Sequence, residues 1–225
     1  MINHGTINRK IRKIVQKELL CSAHDLRHVY RVYNNCIYLS KFEKYVDIDV
    51  LKVAALLHDI ARVKEDQDNT GNTDHAVLGA EMAKKILKRI KYNKIDEVLH
   101  CIKSHRCKGM YKPKSLEAKI LYDADKLDTL GAVGIVRLYM IAGQYGQAIH
   151  SDANLKRYIK DNFVDGTVNG RIINVAKHAP NLEYESKLKN LQKILYTAKA
   201  KEQAKKRVIF MNEFFSRLNK EIKLH

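Results

Sequence analysis

Apolar positions recur along most of this chain at the three-and-four spacing of amphipathic helices. Ile7, Ile11, Ile14, Val15 and Leu19 predict a first helix over residues 6–20. Ser22 offers an N-cap for a second helix, with Val29, Val32, Tyr33, Cys36 and Ile37 on one side. Asp47 or Asp49 can cap a third, whose run Val53-Ala54-Ala55-Leu56-Leu57 is apolar all round and so predicts burial on most sides. That helix reads as continuing through His58 and Asp59. A fourth helix opens at Asp74-His75 and runs to about Lys91. A fifth, from about Lys94, turns Ile95, Val98, Leu99 and Ile102 inward, with His105 continuing the stripe and His100 off it, toward solvent. A sixth carries Leu116, Ala118, Ile120, Leu121, Ala124 and Leu127.

The breaks in the pattern are equally informative. Residues 64–73 have no apolar period and read as a polar loop, either simply solvated or a mobile rim over a site. Gly131-Ala132-Val133-Gly134 suits close helix packing, and without a preceding strand or a following Gly-Lys-Ser/Thr it is not a phosphate-binding loop. Residues 151–180, with Gly166 and Gly170, read as short helices and turns. From Glu183 the stripe Leu188, Leu191, Leu195, Ala204, Val208, Met211, Phe215 and Leu218 predicts one or two long helices packing back on the domain. A helical partner contact, and with it a homodimer, is the alternative use of that stripe. The expectation is an all-α fold, with a core over residues 1–146 and a helical extension over 147–225 packed on it as one compact unit.

Composition supports helices and adds charge. Only 2 Pro and 10 Gly occur in 225 residues, too few for a sheet protein with frequent turns. Lys and Arg number 42 against 25 Asp and Glu, a formal net charge of +17. Such a field raises encounter rates with nucleotides, phosphate esters or nucleic acid without choosing among them. The lysines are spread through every predicted helix, as on ordinary solvated faces, so nucleic acid is the weaker partner. Cys21, Cys36, Cys101 and Cys107 form no CxxC pair, the first residues lack the apolar segment of a signal peptide, and no stretch has the length of a membrane span. The expectation is a cytoplasmic protein with free thiols and no membrane partner.

Chemistry concentrates on the inward faces. An imidazole and a carboxylate at His58-Asp59, interrupting the apolar run of a helix read as buried on most sides, need partners, because an unpaired buried carboxylate costs several kcal/mol. A metal ion accepts a neutral imidazole nitrogen and an ionised carboxylate together. Further candidates arise on successive helices: His28 beside the second apolar stripe, His75 in the first turn of the fourth helix, His105, and Asp125, which follows Leu121 by four positions. His24 lies four residues before His28 on the same face. Each alone has an ordinary reading as a hydrogen-bonded histidine or a helix cap; the set points to a metal site.

The segments His28-Val29-Tyr30-Arg31-Val32, Leu56-Leu57-His58-Asp59-Ile60 and Asp123-Ala124-Asp125-Lys126-Leu127-Asp128 resemble the motifs of the HD-domain metal-dependent phosphohydrolase superfamily. Ser22-Ala23-His24-Asp25, His75 before a Gly-Ala pair, and Tyr196-Thr197 through Arg207-Phe210-Met211 are similar to a bacterial and archaeal branch of stand-alone HD proteins. The resemblance implies an HD-domain helical bundle with a C-terminal helical extension. It implies that His28, His58, Asp59 and Asp125 bind one divalent ion, and that Asp59 bridges to a second held by His75 and His105. Ala61 departs from the family's usual Gly, and Arg62 from its frequent Lys; an arginine keeps the charge but is a poor proton donor.

Imidazole and carboxylate ligands suit Mn, Fe, Ni, Co, Mg or Zn, and the lack of inward cysteine ligands argues against a thiolate zinc site. The expected reaction is hydrolysis of a phosphate ester, on a nucleotide or another small phosphorylated metabolite, by one or two ions that activate water and polarise the phosphoryl group. Asp59 stands at its centre; Arg62, Lys108 and Lys126 are the candidates to meet developing negative charge. Asp128 is read as orienting Lys126 or a ligand, and His24 or Asp25 as supporting groups or proton relays. The alternatives are a metal-retaining ligand-binding or regulatory domain with little turnover, and a nucleic-acid-binding protein.

Overall fold

Helices α1 (His4–Glu18) and α2 (Leu26–Ser40) form where the apolar spacing predicts them, and both pack against α3 (Ile48–Leu57). The computed structural model describes residues 4–18, 26–68, 70–168 and 171–223, with no side chains for 4–8. Asp47 caps α3 by accepting the Val50 N–H at 3.1 Å, and every residue from Val53 to Leu57 is buried. A helix apolar on all sides is surrounded, and here α1, α2 and α6 surround it.

The chain departs from the expected pattern just after this helix. α3 ends at Leu57, and residues 58–61 form a turn with Ile60 N–H bonded to the Leu57 carbonyl and Arg62 N–H to that of Asp59. Part of the expected polar loop is then helical, as α4 (Arg62–Gln67). An apolar period is not what holds it: Arg62 pairs with Glu65 at 2.8 Å and Asp66 at 3.0 Å, three and four residues along one helix face. The loop that follows is tied by Asp68, whose carboxylate accepts the Thr70 and Thr73 N–H groups at 2.8 and 2.7 Å.

α5 (His75–Arg89) is capped by Asp74, which accepts from Ala76 N–H at 2.9 Å, and packs on α4 and on α6 (Ile95–Ser104). His100, expected in solvent, is half-buried. Its Nε2 accepts the Lys114 N–H at 3.0 Å and holds the segment leading into α7 (Leu116–Asp128).

Cα proximity divides the molecule into two units, Met1–Leu127 with Leu195–Ala200, and Asp128–Ile194 with Lys201–His225. The sequence boundary after residue 146 falls within the second unit, in the loop beyond α8 (Gly131–Gln144). That unit continues with α9 (Leu155–Asn162), single 3₁₀ turns at Val164–Gly166 and Val175–Lys177, α10 (Pro180–Ser186), a 3₁₀ stretch at Leu188–Lys193 and most of α11 (Ala198–Ile222). Gly134 is required there: a Cβ would lie 2.2 Å from the Thr129 carbonyl oxygen. Tyr158, Phe163, Ala179 and Leu182 make a small core, and Tyr184 stacks on Phe215 at 4.7 Å. The stripe Ala204, Val208, Met211 and Phe215 of α11 is buried in the chain itself. Among the described residues there is no strand, only an isolated bridge between Phe163 and Ile172, and no helix long and apolar enough to cross a membrane.

Candidate metal centre

Within a helix, adjacent side chains diverge by about 100°, so His58 and Asp59 would point apart if α3 continued through them. Ending α3 at Leu57 lets both turn toward one place. His58 is fully buried, and its Nδ1–H donates to the Ala55 carbonyl at 2.9 Å, which leaves Nε2 as an acceptor. That Nε2 is buried with no hydrogen-bond partner. Burial pushes the imidazole pKa down to about 4, so the ring is neutral near pH 7.

The same bonding fixes His105 and His75. His105, at the C-terminal end of α6, donates from Nδ1 to the Ile102 carbonyl at 2.7 Å. His75, in the first turn of α5, donates from Nδ1 to Glu65 at 2.6 Å. Their Nε2 atoms lie 3.2 Å apart and 3.2 and 3.5 Å from Asp59 Oδ1. Three acceptor-rich atoms this close require a cation between them. Either a proton or a metal ion meets that need. Burial opposes a proton on His75, but its bonds to Asp59 and Glu65 outweigh burial and raise its pKa.

Two groups could each hold a metal ion: His28, His58 and Asp125, and Asp59, His75 and His105, with ligand atoms within 4.8 Å of one another in each. Asp59 touches both, since its Oδ2 lies 3.4 Å from His28 Nε2 and 3.7 Å from His58 Nε2. Burial works against ionised Asp125, yet Lys126 first and His28 next hold its carboxyl well below the usual range. The orphaned His58 Nε2 and this imidazole and carboxylate donor set fit divalent ions of intermediate hardness.

The other expected residues have varied surroundings. Lys126 Nζ lies 2.9 Å from Asp125 Oδ2 and 5.3 Å from the centre of the Tyr122 ring. Arg62 is engaged by Glu65 and Asp66, and Lys108 is an exposed side chain 3.7 Å from Asp74. Asp128 holds Arg137 at 2.7 Å. His24 and Asp25 lie outside the described residues. Sequence reasoning missed Glu65, which also accepts from the His75 backbone N–H at 3.2 Å and pairs with Arg106 at 2.9 Å. Burial alone would raise its pKa, but His75, Arg106 and Arg62 bring it down to about 2. Its one sequence signal is its spacing, three residues after Arg62 on a helical turn.

Known proteins share this arrangement of helices. The HD-domain family model matches residues 25–130. YpgQ of Bacillus subtilis is 30% identical over 219 residues, 95% of this chain and 92% of its own. The crystal structure of YpgQ in complex with ADP superposes with a TM-score of 0.72 and 26% identity, covering 98% of this chain and 97% of that one. A protein of an uncultured Thermotogales bacterium, described as a predicted HD superfamily hydrolase, gives a TM-score of 0.61 at 28% identity, covering 95% and 91%. With the fold of these proteins and two His/Asp groups able to hold metal, the chain belongs to the HD-domain family.

Proposed function

We propose that the protein is a metal-dependent phosphohydrolase acting on a nucleotide. The observation that carries this reading is the shared Asp59, whose two oxygens face the two histidine groups from a buried position. Those residues would hold one or two divalent ions, which when bound supply a Lewis acid for a phosphoryl oxygen and a lowered pKa for water. Glu65 fixes the tautomer of His75, and the Ala55 and Ile102 carbonyls fix those of His58 and His105, so each presents Nε2. Lys126, beside Asp125, brings positive charge to the phosphate. The nucleotide is favoured over other small esters because YpgQ crystallises with ADP. The free thiols of Cys36, Cys101 and Cys107 support a reducing, cytoplasmic setting.

The test is metal analysis of protein purified without chelator, followed by nucleotide turnover with Mn, Mg, Ni or Co added and the products separated chromatographically. Bound metal with ion-dependent hydrolysis that chelator abolishes is the expected result. Absence of turnover with every nucleotide and ion would refute the reading and favour a binding role.

A further inference from the structure

Of the six side chains in the two metal-binding groups, five are 6% exposed or less, and Asp125 is 14% exposed. Asp125 is thus the most exposed of the six. Lys126 stands next to it, with Nζ between the Asp125 carboxylate and the Tyr122 ring. Tyr122 is itself buried, and it meets the ring of Tyr196 edge to face at 5.3 Å and 79°. Tyr196 is 37% exposed. Its hydroxyl lies 3.6 Å from the sulfur of Cys107, two residues beyond His105. Tyr196 therefore touches both the helix that carries Asp125 and the turn that follows His105.

The position of this ring is built, not incidental. Asp123 is fully buried, and its two oxygens accept the Tyr196 N–H at 2.9 Å, the Thr197 N–H at 2.7 Å and the Thr197 hydroxyl at 2.8 Å. A buried carboxylate two residues from Asp125 is thus committed to holding the backbone that bears Tyr196. A fixed, part-exposed aromatic ring, separated from an ammonium group by the Tyr122 ring, suits a ligand that is anionic at one end and flat and aromatic at the other.

We propose that Tyr196 is the stacking wall for the base of a nucleotide whose phosphates lie toward Lys126 and Asp125. The proposal rests on the phosphohydrolase reading above and names the part of the site that selects nucleotides over plain phosphate esters. Tyr196 acts on ligand selection and takes no part in bond breaking.

The experiment is calorimetric titration of the purified protein with ADP and, separately, with ribose 5-phosphate, which lacks the base. Tyr196→Ala and Tyr196→Leu should lose about 5- to 100-fold in ADP affinity, while ribose 5-phosphate affinity stays within twofold. Tyr196→Phe keeps the ring and should match the wild type for both. The leucine variant preserves apolar bulk against Tyr122, so a loss caused only by misfolding of the alanine variant is recognised. Equal weakening of both ligands would overturn the proposal in favour of a structural role, as would unchanged ADP binding in either variant. If the wild type hydrolyses nucleotides but binds ADP no better than ribose 5-phosphate, the stacking wall alone is refuted. If it neither binds nor hydrolyses any nucleotide, the nucleotide reading falls with it.

Discussion

Replacing Asp59 by Asn separates the metal reading from a purely structural one. The carboxylate sits among four Nε2 atoms at 3.2–3.7 Å. Without metal, an amide keeps the shape of the side chain, and its NH2 can donate to an unprotonated imidazole nitrogen. With metal, the variant lacks the one anionic ligand that faces both groups. An ion at 100 times its Kd adds about 2.7 kcal/mol to the folded state. For a chain of this length each kcal/mol moves Tm by about 2–4 °C, so the wild type should gain about 5–11 °C from chelator to saturating Mn. Asp59→Asn should gain less than about 2 °C over the same range. Thermal unfolding followed by circular dichroism, with EDTA and with Mn titrated, reads both numbers. A wild type whose Tm ignores both, or a variant that gains as much as the wild type, would refute the reasoning.

Glu65→Ala removes the acceptor that fixes His75, and metal affinity should fall about 10- to 100-fold by calorimetry, an effect typical of residues that support ligands; unchanged affinity would show that His75 needs no such support. Gly134→Ala should destabilise by more than about 4 kcal/mol, although Gly→Ala inside a helix ordinarily stabilises, because the new Cβ meets the Thr129 carbonyl oxygen at 2.2 Å. A Tm at or above the wild type's would contradict that packing. Glu183 predicts a pH effect: burial would raise its carboxyl pKa, but His178 and Lys187 hold it below the ordinary 4.5. A depressed folded pKa means the stabilisation is complete above about 4.5 and is lost as pH falls through the folded value. The Tm gap between wild type and Glu183→Gln should therefore be widest near neutral pH and close in acid, and a gap constant with pH would refute it.

The helical fold was legible because each long helix carries its own apolar stripe, and α3 and α5 announce themselves with Asp47 and Asp74 as caps. The six residues of the two groups were legible as well, since five lie on or beside those stripes and the sixth, His75, opens a capped helix. The break after Leu57 was not. Ile60 and Ala61 continue the apolar pattern, and the turn is set by where His58 and Asp59 must point, a constraint from other helices. Glu65 was hidden for a related reason: in sequence it belongs to a polar stretch, and only the approach of α5 and Arg106 gives it work.

The three aspartates of α7 show where local reading stops. Asp123, Asp125 and Asp128 are alike in sequence context, each beside an apolar residue and within five positions of the others. Asp125 follows Leu121 by one helical turn, and that period alone points it inward. Asp123 is more deeply buried than Asp125, but its backbone donors lie more than seventy residues away in the chain, and no local pattern names them. Asp128 meets Arg137 from the following helix. A carboxylate's role here follows from which cation or N–H group the fold brings to it: divalent metal ions for Asp125 in our proposal, two backbone N–H groups and a hydroxyl for Asp123, a guanidinium for Asp128. Asp123 thus fixes backbone against the helix that carries Asp125. Asp123→Asn should accordingly weaken ADP binding more than metal binding, since the segment it holds carries Tyr196 and none of the six metal-group side chains, and calorimetric titration with each ligand would expose the reverse order.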